Sequence, residues 1–135
     1  MASIKFFVMI KPDGVKRGLV GEIISRFEKR GFILHDMKMF IPTPELVKEH
    51  YEEHEGKAFF QNLIDFTTSG PVVPLVFEGN IQVARNIIGA TVPWEAKEGT
   101  IRGDFACSMP SNLVHCSDSI ESAHREIELW FSFGD

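Results

Sequence analysis

Strand-sized apolar runs alternate with helix-spaced ones along this chain, and that alternation predicts an α/β sandwich with helices packed on one sheet. Four strand-like runs within 135 residues narrow the choice to a four-stranded antiparallel sheet of ferredoxin-like, split βαβ type. At 15.3 kDa, residues 1–135 are expected to form a single domain large enough to bury a real core.

The first strand is expected over 4–10, where an unbroken apolar stretch meets the turn signal Pro12-Asp13-Gly14. Val20, Ile23, Ile24 and Phe27 fall at helical spacing, and Gly31 ends that helix behind Lys29 and Arg30. A second strand is expected over 32–40. Thr43-Pro44-Glu45 then supplies a cap, a first-turn proline and an acid suited to the positive end of a helix. The next helix, 59–68, carries Phe59, Phe60, Leu63 and Ile64 and stops at Gly70-Pro71. Residues 72–77 read as a strand despite Pro74, which places an edge or a bulge there. A short helix over 80–88 leads into a stretch, 90–110, that reads mostly as loop and is long enough to carry function. The last strand is expected over 112–115. The last helix, 119–131, begins behind an Asp118 and Glu121 capping pair and turns Ile120, Ala123, Ile127, Trp130 and Phe131 inward.

Composition excludes several classes of function. A formal net charge of −5 argues against broad electrostatic binding to nucleic acid or an anionic membrane, yet leaves room for an anionic substrate where basic residues converge. Two cysteines, Cys107 and Cys116, are too few for a disulfide framework and suit a reducing compartment, where both are expected as small buried or half-buried side chains. The apolar run ending at Ile10 is too short for a signal peptide or a membrane span, so a cytoplasmic location is expected.

The segment Asn112-Leu113-Val114-His115-Cys116-Ser117-Asp118-Ser119 comes nearest to stating a chemistry, because it sets a histidine where a strand hands over to a helix. Lys11 closes the first strand, at the kind of strand end where open sheets place ligands. No glycine-rich phosphate loop with a Lys-Ser or Lys-Thr ending is present, which excludes a P-loop enzyme. Arg85, Thr91 and Arg102 lie in and before the long loop, and guanidinium groups grip phosphate oxygens bidentately. The plainer alternative makes Arg102 and Asp104 a local ion pair that pins the loop. His50-Tyr51-Glu52-Glu53-His54 matches the H-x-x-E-H pattern of a zinc peptidase class, but no third ligand is marked, and an exposed polar helix face accounts for the same residues. Phe59 and Phe60 read most simply as core, although one exposed ring would stack a base. A triad of Ser117, His115 and Asp118 is disfavoured by their closeness in sequence.

Taken in order, several segments resemble the nucleoside diphosphate kinase family. They are Ile10-Lys11-Pro12-Asp13-Gly14-Val15, Arg17-Gly18-Leu19-Val20-Gly21, His50-Tyr51, Phe59-Phe60, Ser69-Gly70-Pro71-Val72, Gly89-Ala90-Thr91, Gly99-Thr100-Ile101-Arg102-Gly103-Asp104-Phe105 and the His115 segment. The resemblance implies reversible, ping-pong transfer of a γ-phosphate from a nucleoside triphosphate to a nucleoside diphosphate through a phosphohistidine on His115. It further implies Mg²⁺, held chiefly by the nucleotide phosphates rather than by protein ligands. By the same match Glu126 holds the far nitrogen of His115 and Ser117 orients Glu126. Lys11 and Tyr51 meet the transferring phosphate, while Arg85, Thr91 and Arg102 hold the phosphate chain. Asn112, with Lys11, reaches the sugar hydroxyls. Phe59 stacks the base beside Leu63 and Met109, which implies broad base tolerance.

The chain departs from the family pattern at a few points. The stretch between Gly79 and Arg85 is about two residues short, which would displace Arg85. Val92 and Glu98 replace the usual asparagine and proline, in a loop that shapes subunit contacts in this family. Met109 and Cys116 stand where valine and glycine are common. A homo-oligomer is implied, and the short stretch after Trp130-Phe131 leaves hexamer and tetramer both open. The rival classes are a catalytically silent nucleotide-binding or regulatory module and a zinc hydrolase.

Overall fold

A computed structural model describes residues 3–132. Its sheet has four strands, β1 (Ile4–Ile10), β2 (Ile33–Met37), β3 (Val73–Gly79) and β4 (Val114–Cys116), in the order β2-β3-β1-β4. Every neighbouring pair is antiparallel, as the ferredoxin-like arrangement requires. The helices are α1 (Pro12–Lys16), α2 (Val20–Lys29), α3 (Pro44–His50), α4 (Phe60–Thr67), α5 (Ile81–Ile88), α6 (Ile101–Phe105) and α7 (Ile120–Phe131).

Both faces of the sheet are covered. Phe6, Val8 and Ile10 of β1 join Phe77 of β3 and Ile23, Phe27, Ala84, Ile88 and Ile101 from α2, α5 and α6 in one core. Phe7 and Met9, pointing the other way, join Leu46, Val47, Ile64 and Trp130 from α3, α4 and α7 in a second. Burial on two faces explains why β1 is apolar without alternation, since each successive side chain meets a helix layer. Helix α2 ends as its sequence predicts. Gly31, at φ +94°, carries the chain out of the helix while its N–H and that of Phe32 return to the carbonyls of Glu28 and Phe27.

Several sequence expectations are corrected. Pro12-Asp13-Gly14 is one helical turn, α1, because proline suits a first helical position as well as a turn. Pro74 lies on an interior strand, paired with Met9, and the irregularity falls instead on β2 between Leu34 and Asp36. The proline is tolerated because its carbonyl accepts from the Lys38 N–H, so its nitrogen faces the side where β2 has already ended. That irregularity also shortens the second strand to Ile33–Met37, with Phe40 rejoining Val72 through a single bridge. Within 90–110 the chain forms a 3-10 turn, Pro93–Glu95, and α6, whose N-terminus Thr100 caps by accepting from the Gly103 N–H. Helix α7 is capped by Ser119 and Ser122 reciprocally, not by Asp118 and Glu121, and Ile120 is exposed. Cys107 is exposed as well, whereas Cys116 is buried and both are free. No helix among the described residues is long and apolar enough to cross a membrane.

Candidate active site

A cleft of about 1180 Å³ opens between the end of β4, the start of α7, α5 and the segment joining α3 to α4. Lys11, Tyr51, Phe59, Leu63, Arg85, Thr91, Arg102, Met109, Asn112, His115 and Glu126 all line it. Ser117, the remaining residue singled out in sequence, is fully buried behind Glu126.

His115 sits in the middle of β4, opposite Met9 of β1, and is only half-buried between two buried neighbours. Its Nε2 lies 2.9 Å from Glu126 Oε2 on α7. Ser117 donates to the other carboxylate oxygen, Oε1, at 2.8 Å, and accepts the Phe7 N–H at 3.1 Å. Strand β1, through the Phe7 backbone, thus fixes the serine, which fixes the carboxylate, which fixes the imidazole. A carboxylate so held selects the tautomer with the proton on Nε2 and leaves the Nδ1 lone pair unclaimed.

Three cationic side chains, Lys11, Arg85 and Arg102, line the same cleft as this ring. Lys11 is buried, and its Nζ donates to Asn112 Oδ1 at 2.7 Å. Burial foremost, and then the Arg102 charge, bring its pKa down to about 8, against the opposing pull of Asp13. Arg102 does not pair with Asp104, which instead binds Arg26 at 2.9 Å and the Gly99 N–H. Its guanidinium donates to the carbonyls of Asn112, Gly89 and Val114 at 3.2, 3.1 and 2.6 Å. Burial and neighbouring Arg85 lower its pKa to about 10, so it remains charged at neutral pH. Despite the shortened stretch before it, Arg85 lines the cleft, with Nη1 3.4 Å from the Cys116 carbonyl.

The outer half of the cleft is apolar. Phe59 is 47% exposed just before α4 and faces the cleft, whereas Phe60 packs against the core. Met109 is also exposed, and Leu63 completes the slot. Asn112 links the halves: its amide NH₂ donates to the Thr91 carbonyl at 2.9 Å while its Oδ1 holds Lys11. Tyr51 is buried, and loss of solvent pushes its phenol up to about 12.

The H-x-x-E-H segment does not form a zinc pair. Helix α3 ends at His50, and Glu52–His54 is a separate 3-10 turn, so no helical face carries both histidines. His50 is buried rather than exposed: it accepts the Trp130 indole N–H on Nδ1 at 2.9 Å, and its ring stands 4.6 Å from that of His115. Burial foremost, then the neighbouring His115, hold its pKa well below the usual imidazole range. Sequence reading missed this neighbour, and the one available signal was Trp130, one turn beyond Glu126 on the same helix. It also missed Asp13, which accepts the Leu113 N–H at 3.0 Å. Leu113, at φ +77°, is the only non-glycine residue with positive φ among those described, a conformation that costs about 1–3 kcal/mol.

Comparison with known proteins gives the chain's family. The family profile "Nucleoside diphosphate kinase" matches residues 5–134. The chain belongs to the nucleoside diphosphate kinase family. A nucleoside diphosphate kinase of Saccharolobus solfataricus is 55% identical, over 100% of this chain and 99% of that one. Among solved structures, a family protein from Babesia bovis superposes with a TM-score of 0.91 at 48% identity, covering 95% of this chain and 88% of the other. A nucleoside diphosphate kinase from Halobacterium salinarum, solved in complex with CDP, gives 0.93 at 44% identity, covering 96% and 88%. The family is one of phosphotransferases.

Proposed function

We propose that this chain is a nucleoside diphosphate kinase that passes a γ-phosphate from a nucleoside triphosphate to a nucleoside diphosphate through phosphorylated His115. The observation that carries the reading is the chain Phe7 backbone–Ser117–Glu126–His115, which leaves Nδ1 as the free nucleophile in a cleft lined by Lys11, Arg85 and Arg102.

In the first half-reaction the Nδ1 lone pair forms the N–P bond as the bond from the γ-phosphorus to the bridging oxygen breaks. That electron pair leaves on the departing nucleoside diphosphate. The Nε2 proton stays on the ring, and Glu126 balances the positive charge the imidazole gains. In the second half-reaction a terminal oxygen of the incoming diphosphate attacks the same phosphorus and releases neutral His115. Lys11, Arg102 and Arg85 stabilise the equatorial oxygens in flight, and the Tyr51 hydroxyl donates to them. Thr91 adds a hydroxyl to the phosphate chain, and Asn112 with Lys11 reaches the sugar. Phe59 stacks the base beside Leu63 and Met109, reading a π-face rather than a donor pattern.

Mg²⁺ belongs with the nucleotide in this reading. The one cluster of metal-ligand type among the described residues, His50, His115 and Glu126, is rich in nitrogen and poorly matched to a hard cation that prefers oxygen and keeps its waters. Bound to the phosphates, Mg²⁺ supplies charge neutralisation there.

We further expect one catalytic unit over residues 1–135, acting in the cytoplasm as a homo-oligomer, hexamer or tetramer. Ile33, Met37, Met39, Ile41 and Trp94 support self-association, because they present exposed apolar surface on the β2 edge and on the loop that holds Val92 and Glu98. The silent-module reading is disfavoured by the retention of every polar group around His115.

Incubation with γ-labelled ATP and Mg²⁺, followed by isolation of the chain, tests the function. The expected product is an acid-labile, alkali-stable phosphate that any added nucleoside diphosphate discharges and that His115→Ala abolishes without loss of fold. Acid-stable label, or label retained in His115→Ala, contradicts it.

A further inference from the structure

Between Asn112 and Val114 the backbone makes a three-residue turn, closed by the Val114 N–H donating to the Asn112 carbonyl at 3.0 Å and centred on Leu113 at φ +77°. A turn of this sense is strained for a residue with a Cβ. Leucine is kept there although glycine would adopt the angle freely, because its side chain is fully buried in the core. Something outside the turn must therefore hold it.

Two contacts from one neighbouring segment do so. The Lys11 N–H donates to the Leu113 carbonyl at 2.9 Å, and Asp13 Oδ2 accepts the Leu113 N–H at 3.0 Å. Gly14 completes the approach, since a Cβ there would lie 3.2 Å from the Leu113 carbonyl and 2.8 Å from Ile10. The turn itself anchors the catalytic cations: Arg102 donates to the carbonyls on either side of Leu113, those of Asn112 and Val114, and Lys11 Nζ is held by the Asn112 side chain. His115 follows directly.

We propose that Asp13 is a positioning residue for phosphoryl transfer. Its carboxylate locks the strained Leu113 turn, and through that turn it sets the places of Lys11, Arg102 and Asn112 relative to His115. Asp13 touches neither nucleotide nor nucleophile in this scheme. Its second oxygen, Oδ1, is the one buried polar side-chain atom among the described residues without a hydrogen-bond partner. A free acceptor buried at that point is costly unless its partner oxygen is required. Burial raises the Asp13 pKa, and the neighbouring Lys11 charge foremost opposes the rise.

The proposal rests on the phosphotransfer reading for its kinetic consequence but not for its structural one, and the test separates the two. Asp13→Ala and Asp13→Asn are compared with the parent by amide hydrogen exchange at Leu113 and by the rate of His115 phosphorylation at saturating MgATP. In Asp13→Ala the Leu113 amide is expected to exchange about tenfold faster or more, and phosphorylation to slow by about tenfold or more, as for displaced catalytic groups, with the KM for ATP moving less than about threefold. Asp13→Asn keeps an acceptor oxygen and should retain both properties within about threefold. An alanine variant with unchanged amide protection or unchanged rate overturns the proposal, as does an asparagine variant as slow as alanine. Should Asp13→Ala not fold, the asparagine variant alone decides, with a tenfold loss counting against the clamp. A parent that is never phosphorylated defeats the kinase reading instead, while hydrogen exchange still tests the clamp.

Discussion

Lys11 is buried at the end of β1, and its pKa of about 8 makes its charge sensitive to pH just above neutrality. Because kcat/KM reports the free enzyme, it should fall by about tenfold per pH unit above roughly pH 8, and Lys11→Ala should lose about two powers of ten in turnover with that limb gone. A limb that survives in Lys11→Ala would assign the titration to another group. The stability sign follows from the same shift. The folded pKa lies below the unfolded value of 10.5, so between about 8 and 10.5 the unfolded chain binds more protons and this group's contribution to stability rises with pH. Cys116, whose thiol burial pushes up to about 12, acts in the opposite direction above its unfolded value of 9.0. Comparing parent and Lys11→Met in urea at several pH values isolates the lysine term. At this scale the sequence led to Lys11, Arg102 and His115, which the fold brings to one cleft, because these are residue types whose chemistry follows from charge and pKa. His50 and Asp13 stayed hidden, since only tertiary contact turns an ordinary helix-end histidine into a buried neighbour of the nucleophile.

Helix α7 does more than cover the sheet, because it carries Glu126 and Trp130 on the face that meets His115 and His50. Its first turn is fixed by Ser119 and Ser122, each accepting the other's backbone N–H, at 3.1 and 3.0 Å. Ser119→Ala should therefore destabilise the fold by about 0.5–2 kcal/mol. Urea unfolding measures the loss, and a change below about 0.3 kcal/mol would show that the cap is not needed once the helix is packed. Elements with a period were legible from sequence: β1, α2, the capped start of α3 and, apart from exposed Ile120, the inner face of α7 all follow from apolar spacing and end signals. What failed was register-dependent. Pro74 looked like an edge marker because sequence cannot show that its nitrogen faces the point where β2 stops. Helix α6 was hidden because its five residues are too short to show a period, and its Thr100 cap was outweighed by the surrounding glycines.

For the whole molecule, the two-faced sheet brings together groups from nearly the full length of the chain. Lys11 at the end of β1, Arg85 on α5, Arg102 on α6, His115 on β4 and Glu126 on α7 converge at one cleft. The order of motifs along the sequence revealed that convergence only through family resemblance, since no local spacing predicts it. In the proposed mechanism Glu126, by holding Nε2, commits Nδ1 of His115 to the phosphate. NMR of the phosphorylated protein, with ³¹P detection and ¹⁵N-labelled histidine, reads the site of attachment directly. The phosphorus should couple to Nδ1 of His115, with Nε2 still carrying its proton. Phosphorus on Nε2, or on any other side chain, would overturn this role for Glu126.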